Sequence, residues 1–90
     1  MIKYKKNYIT FFDYDIYDVI LCEMCESVAV DIHHIIPRGI GGSKCEAINE
    51  VDNLIALCRE CHIKAENNKL FNKKCKIIHL KNIIKKLENE

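Results

Sequence analysis

Residues 22–42, CEMCESVAVDIHHIIPRGIGG, decide how the chain is read. They open on a Cys-x-x-Cys knuckle at Cys22 and Cys25, run through the β-branched stretch 28–36, and stop at Pro37 with Gly39, Gly41 and Gly42 close behind. The stretch predicts a strand that ends at the proline and leads into a turn or loop. A second apolar run, residues 53–57, predicts another strand or a turn into one, and it leads into a second knuckle, Cys58-x-x-Cys61. Two thiolates three positions apart can both reach one ion around a tight turn, so the pair of knuckles points to a tetrahedral zinc held by Cys22, Cys25, Cys58 and Cys61. The 32 residues between the knuckles exceed the ~15–20 of a simple ribbon, so something is inserted between them. Four thiolates leave zinc no open position, which makes this ion structural rather than catalytic. Redox chemistry would explain one such motif, not two. Cys45 and Cys75 lie outside the frame and are expected to be ordinary small side chains.

Working outward, 90 residues allow one small domain, read as 1–90, and a core of that size commonly needs a metal or disulfide staple. With 49% hydrophobic residues, 30% charged and one proline, the chain is expected to fold rather than stay disordered. Its opening carries no apolar run of the ~7–15 residues a secretory signal needs, and no stretch approaches the ~20 of a membrane span. A cytoplasmic, reducing location is therefore expected, which favours metal-bound cysteine over disulfides. Residues 1–21 are rich in aromatics, from Tyr4 to Tyr17, and fit either strand or helix. Those rings are expected to pack over one side of the core, the alternative being a surface that stacks bases.

A helix is expected to begin near His62. Farther on, Ile77, Leu80, Ile84 and Leu87 are spaced by three, four and three, with Lys81, Lys85 and Lys86 between them. This predicts a C-terminal amphipathic helix with that apolar stripe toward the core. Residues 67–90 hold seven Lys against two acids, a local +5 within a chain of formal charge +1. Such a tail would give sequence-independent, salt-sensitive attraction to phosphates.

Three of the four histidines, His33, His34 and His62, fall between or beside the knuckles, together with Asp31 and Asn53. Four cysteines already complete a zinc site, so these histidines have no structural task left; His79, on the terminal helix, keeps one as a surface residue. At this point Cys22-x-x-Cys25, DIHHIIPRGIGG, Asn53-Leu54 and LCRECH together resemble the HNH endonuclease family, in its zinc-ribbon subgroup, over about residues 22–66. The resemblance implies an α+β fold: a small zinc-stabilised ββα-metal domain in which two strands and a helix surround one catalytic divalent cation that serves phosphodiester hydrolysis in DNA. It makes His33 the first metal ligand, His34 the general base, Asn53 the residue that constrains the loop, and His62 the second ligand. It also implies free-standing proteins of phages or mobile elements.

A third ligand is commonly a His one helical turn after the second, and this chain has Glu66 there. Residues 62 and 66 share a helix face, so both can reach one ion. A carboxylate ligand tilts the site toward Mg²⁺ or Mn²⁺, while two imidazoles keep Ni²⁺ and Zn²⁺ plausible; the alternative for Glu66 is a solvated helix residue. Adjacent strand residues point to opposite faces, so His33 and His34 can serve one site only if the strand twists or ends there. Asp31 is either a carboxylate orienting an imidazole or a surface residue, and Arg38 and Lys44 either hold phosphates or are solvated. One base implies nicking of one strand per visit, by a monomer or a homodimer. The rival reading is a non-catalytic zinc-ribbon module that binds DNA or protein, and a second is a degenerate homologue disabled at Glu66.

Overall fold

The computed structural model describes residues 2–37 and 46–90. Helix α1 (Lys3–Phe11) leads through the first knuckle to strand β1 (Asp31–His34). Two short 3-10 turns (Glu46–Asn49 and Val51–Asn53) precede strand β2 (Leu54–Leu57), which runs into helix α2 (Arg59–Asn67) and the long helix α3 (Lys69–Glu88). The strands pair antiparallel, with Asp31 opposite Leu57 and His34 opposite Leu54. The chain is thus a small α+β domain in which β1, β2 and α2 form a ββα unit. None of the described helices is long and apolar enough to cross a membrane.

All four residues of β2 are buried because both its faces are covered. Ile55 and Leu57 pack with Ile35, Ala65 and Cys75 on the side of α2 and α3, whereas Leu54 and Ala56 pack with Tyr8 of α1. The alternation follows from the period of two in a strand. Helix is the outcome for the aromatic N-terminal segment: Tyr4, Tyr8 and Phe12, four apart, fall on one face, and Tyr8 and Phe12 lie 4.7 Å apart. Tyr17, by contrast, is 91% exposed.

α2 starts at Arg59, three residues ahead of the predicted start, because the Cys58 sulfur accepts the Cys61 amide and caps the first turn. It stops where Asn68 turns extended (φ −139°, ψ 106°), and the Asn68 side chain then caps α3 by accepting the Phe71 amide at 3.0 Å. One residue thus closes one helix and opens the next.

The face of α3 that meets the core differs from the predicted one. Ile77, Ile84 and Leu87 are more than half exposed, and Leu80 is exposed too. Cys75 and His79 are fully buried instead, flanked by half-buried Asn72 and Asn82. His79 is therefore an interior residue, not a surface one. Its Nδ1 donates to the carboxylate of Glu23 (2.9 Å) and its Nε2 to the Val51 carbonyl (2.6 Å). The same carboxylate accepts the Tyr8 hydroxyl (2.6 Å) and the Asn82 amide (2.8 Å). Polar partners, not apolar spacing, choose the inner face, since a buried carboxylate needs donors on every side.

Candidate active site

The first knuckle is closed by tight backbone bonds, Cys22 N–H to the Ser27 carbonyl and Glu26 N–H to the Cys22 carbonyl, with Glu26 in the left-handed region at φ 66°. The second knuckle sits at the N-terminus of α2. Together they bring the sulfurs of Cys22, Cys25, Cys58 and Cys61 within 4.8 Å of one another, among the described residues the one group of three or more ligand side chains so gathered. The Cys25 and Cys58 sulfurs are 3.6 Å apart. Thiolates at Zn–S ~2.3 Å in a tetrahedron would lie roughly 3.8 Å apart, so the set fits zinc. The thiols titrate as neighbours of one another. The Cys61 amide pulls the Cys58 thiol down to about 6, while burial and the neighbouring thiols push that of Cys61 up. Cys75 lies in the adjoining core with its thiol pushed up to about 11 by burial, and takes no part. Cys45 is outside the described residues.

The histidines open on a cleft of about 700 Å³. α1 contributes Tyr4 and Lys5, β1 contributes Asp31, His33 and His34, α2 contributes His62 and Glu66, and α3 contributes Lys69 and Asn72. His33 stands opposite Ile55 on the α2 and α3 side and His34 opposite Leu54 on the α1 side, and the cleft takes in both at the end of β1. His62 gives its Nδ1 hydrogen to Asp31 at 2.9 Å, and Arg59 approaches the same carboxylate oxygen at 3.6 Å. This leaves the His62 Nε2 lone pair free, 3.8 Å from a carboxylate oxygen of Glu66. The His33 ring stands edge-on to that of His62, with centroids 5.0 Å apart. Burial lowers the His33 pKa, which keeps its imidazole in the neutral form that binds metals. Two imidazoles and a carboxylate on one cleft fit a divalent cation of the Mg²⁺, Mn²⁺, Ni²⁺ or Zn²⁺ kind. They are not drawn to mutual ligand distance as the four thiols are.

His34 is buried, and its Nε2 faces the Asn49 side-chain oxygen at 3.0 Å while the Tyr4 ring meets it edge-on at 4.7 Å. Asn53, also buried, spends its whole side chain on backbone. Its oxygen accepts Ile36 N–H (2.8 Å), and its amide donates to the carbonyls of Ile36 (3.1 Å) and Ile48 (2.9 Å). It therefore clamps the segment that follows His34 onto the turn that carries Asn49. Arg38 and Lys44 fall outside the described residues.

Sequence reading missed Tyr4, Lys5, Asn49, Lys69 and Asn72. None belongs to a motif: Tyr4, Lys5, Lys69 and Asn72 reach the cleft through tertiary packing, and Asn49 reaches His34. Lys5 and Lys69 have no ion-pair partner among the described residues, although both line a cleft that also holds Asp31 and Glu66.

The HNH endonuclease family model matches residues 22–68, just over half of the chain. Among curated proteins, a mitochondrial DNA mismatch repair protein mutS homolog from Sarcophyton glaucum is 34% identical over 50 residues. That stretch is 54% of this chain but only 5% of the relative's length. No solved structure matches.

Proposed function

This chain belongs to the HNH endonuclease family, and from that premise we propose that it is a metal-dependent endonuclease that hydrolyses DNA phosphodiester bonds one strand at a time. The observation that carries the reading is the cleft itself, where His34 shares a Lys-flanked space with His33, His62 and Glu66.

The residues divide the work as follows. With the Asn49 oxygen as acceptor, His34 carries its hydrogen on Nε2 and keeps a lone pair on Nδ1, with which it takes a proton from the attacking water. An imidazole suits that task because its ordinary pKa of ~6.5 lies near working pH. Asn53 holds the segment that follows His34 against the turn that carries Asn49. His33, His62 and Glu66 are the residues that would hold the divalent cation, and Asp31 orients His62 for it. That cation supplies Lewis-acid stabilisation of the charge developing on the phosphate and the leaving oxygen. Lys5 and Lys69, which line the cleft, bind backbone phosphates, and the remaining lysines of α3 add non-specific affinity. The four cysteines would hold a zinc that ties the first knuckle to the start of α2, which carries His62.

A single base acting in a single cleft cuts one strand per encounter. The direct test is cleavage of end-labelled duplex and single-stranded oligonucleotides with Mg²⁺, Mn²⁺ or Ni²⁺. Products that disappear in His34→Ala support the assignment, and equal cleavage by that variant removes His34 from the mechanism.

A further inference from the structure

We propose that Asn72 is a positioning residue of this site, fixing His33 as its Nε2–H tautomer so that Nδ1 is the nitrogen His33 offers to a cation. The purpose assigned to Asn72 rests on the nuclease reading; its geometry does not. The Asn72 amide nitrogen donates to the Ile35 carbonyl at 2.8 Å, and a carbonyl can only accept. This settles which way the side-chain amide is turned: its oxygen faces His33 Nε2, also at 2.8 Å. A ring nitrogen that faces an acceptor carries the hydrogen, and a neutral imidazole has only one to place. Nδ1 therefore holds the lone pair.

His62 is held in the complementary way, with Asp31 taking its Nδ1 hydrogen and Nε2 left free. Each imidazole is thus locked by one side-chain acceptor, from a different element and through a different nitrogen. Such outer partners set ring orientation and ligand basicity. Asn72 lies one turn into α3, beyond the matched residues 22–68, and the helix is anchored by the Asn68 cap and by buried Cys75 and His79. The terminal helix is therefore a structural part of the metal site and not only a basic tail.

The test uses the zinc-loaded protein and two readouts that need no activity. ¹⁵N NMR of the His33 ring reports its tautomer, and calorimetric titration with Mn²⁺ reports the site. Wild type is expected to show the Nε2–H form alone. Asn72→Leu, which removes both bonds, is expected to mix tautomers and bind Mn²⁺ about 10- to 100-fold more weakly. Asn72→Asp keeps an acceptor for Nε2–H while giving up the bond to Ile35, and is expected to retain the tautomer, which keeps the proposal testable should the leucine variant misfold. An Nδ1–H or mixed His33 in wild type overturns the proposal whatever the metal does. Unchanged or tighter Mn²⁺ binding in Asn72→Leu overturns it as well, provided His62→Ala abolishes binding. If His62→Ala binds Mn²⁺ like wild type, the reading of the metal site fails, and the tautomer alone then decides the role of Asn72.

Discussion

Replacing His79 with leucine should cost more stability than any change on the exposed face of α3. The His79 ring is 0% exposed and the Glu23 side chain 7%, so solvent does little to screen the pair. Both ring nitrogens face polar partners, the carboxylate of Glu23 and the carbonyl of Val51, so the ring joins the zinc knuckle to the second 3-10 turn. His79→Leu strips Glu23 of its buried ring partner and leaves the Val51 carbonyl without that contact, while Tyr8 and Asn82 still hold the carboxylate in place. Removing one member of a buried pair costs about 3–5 kcal/mol, a large share of the ~5–15 kcal/mol that holds an ordinary domain together. For a chain of this size each kcal/mol is worth roughly 4–8 °C, so the midpoint should fall by at least about 12 °C. Urea and thermal unfolding of the zinc-loaded protein, followed by circular dichroism, would measure it. The double variant Glu23→Leu/His79→Leu should recover little of the loss, because removing the carboxylate also leaves the Tyr8 hydroxyl and the Asn82 amide without their acceptor. A loss below about 1 kcal/mol for His79→Leu alone would show that the network does not hold α3 to the zinc knuckle, and would refute the reasoning.

Other consequences are as direct. Because burial holds the His33 pKa below its unfolded value of ~6.5, the folded state binds fewer protons there than the unfolded one. That difference leaves stability level above about pH 6.5 and erodes it as pH falls from there toward the folded pKa. Urea midpoints at pH 7.5, 6.5 and 5.5 should therefore fall less steeply in His33→Leu than in wild type. Stripping zinc with a thiol-competing chelator, or changing Cys58 to Ser, should abolish the cooperative melt, because the cluster joins the first knuckle to α2. Lys5→Ala and Lys69→Ala should each weaken DNA binding and lower the slope of log affinity against log salt by about one, with the turnover of bound DNA unchanged.

The zinc frame and the order of the histidines were legible because they are local. Each knuckle is a turn of four residues, and His33-His34 and Cys61-His62 sit beside the structures that position them. Strand β2 was readable from its apolar run, and β1 from its β-branched residues, although only Asp31–His34 of the longer run pairs with β2 and Val28 bridges Leu21 instead. The face of α3 was misread for a physical reason. Ile77, Leu80, Ile84 and Leu87 carry the apolar period, yet the core opposite α3 presents Glu23 and the Val51 carbonyl, which call for His79 and Asn82. Asn49, Asn72, Lys5 and Lys69 were not legible because their roles come from contacts spanning 15 to 39 positions, as in His34 to Asn49 and His33 to Asn72, or from lining a cleft built by four elements. Asp31 was open between two roles until α2 was in place; it bonds His62, 31 positions away.

The most direct test of the account is the fate of supercoiled plasmid DNA incubated with the zinc-loaded protein, with Mg²⁺, Mn²⁺, Ni²⁺ and EDTA in parallel and His34→Ala alongside. The account predicts nicked circles that appear before any linear product, require a divalent cation, and vanish in the variant. No nicking with any cation, from protein that still carries one tightly bound zinc, would contradict it and leave a zinc-ribbon binding module in its place.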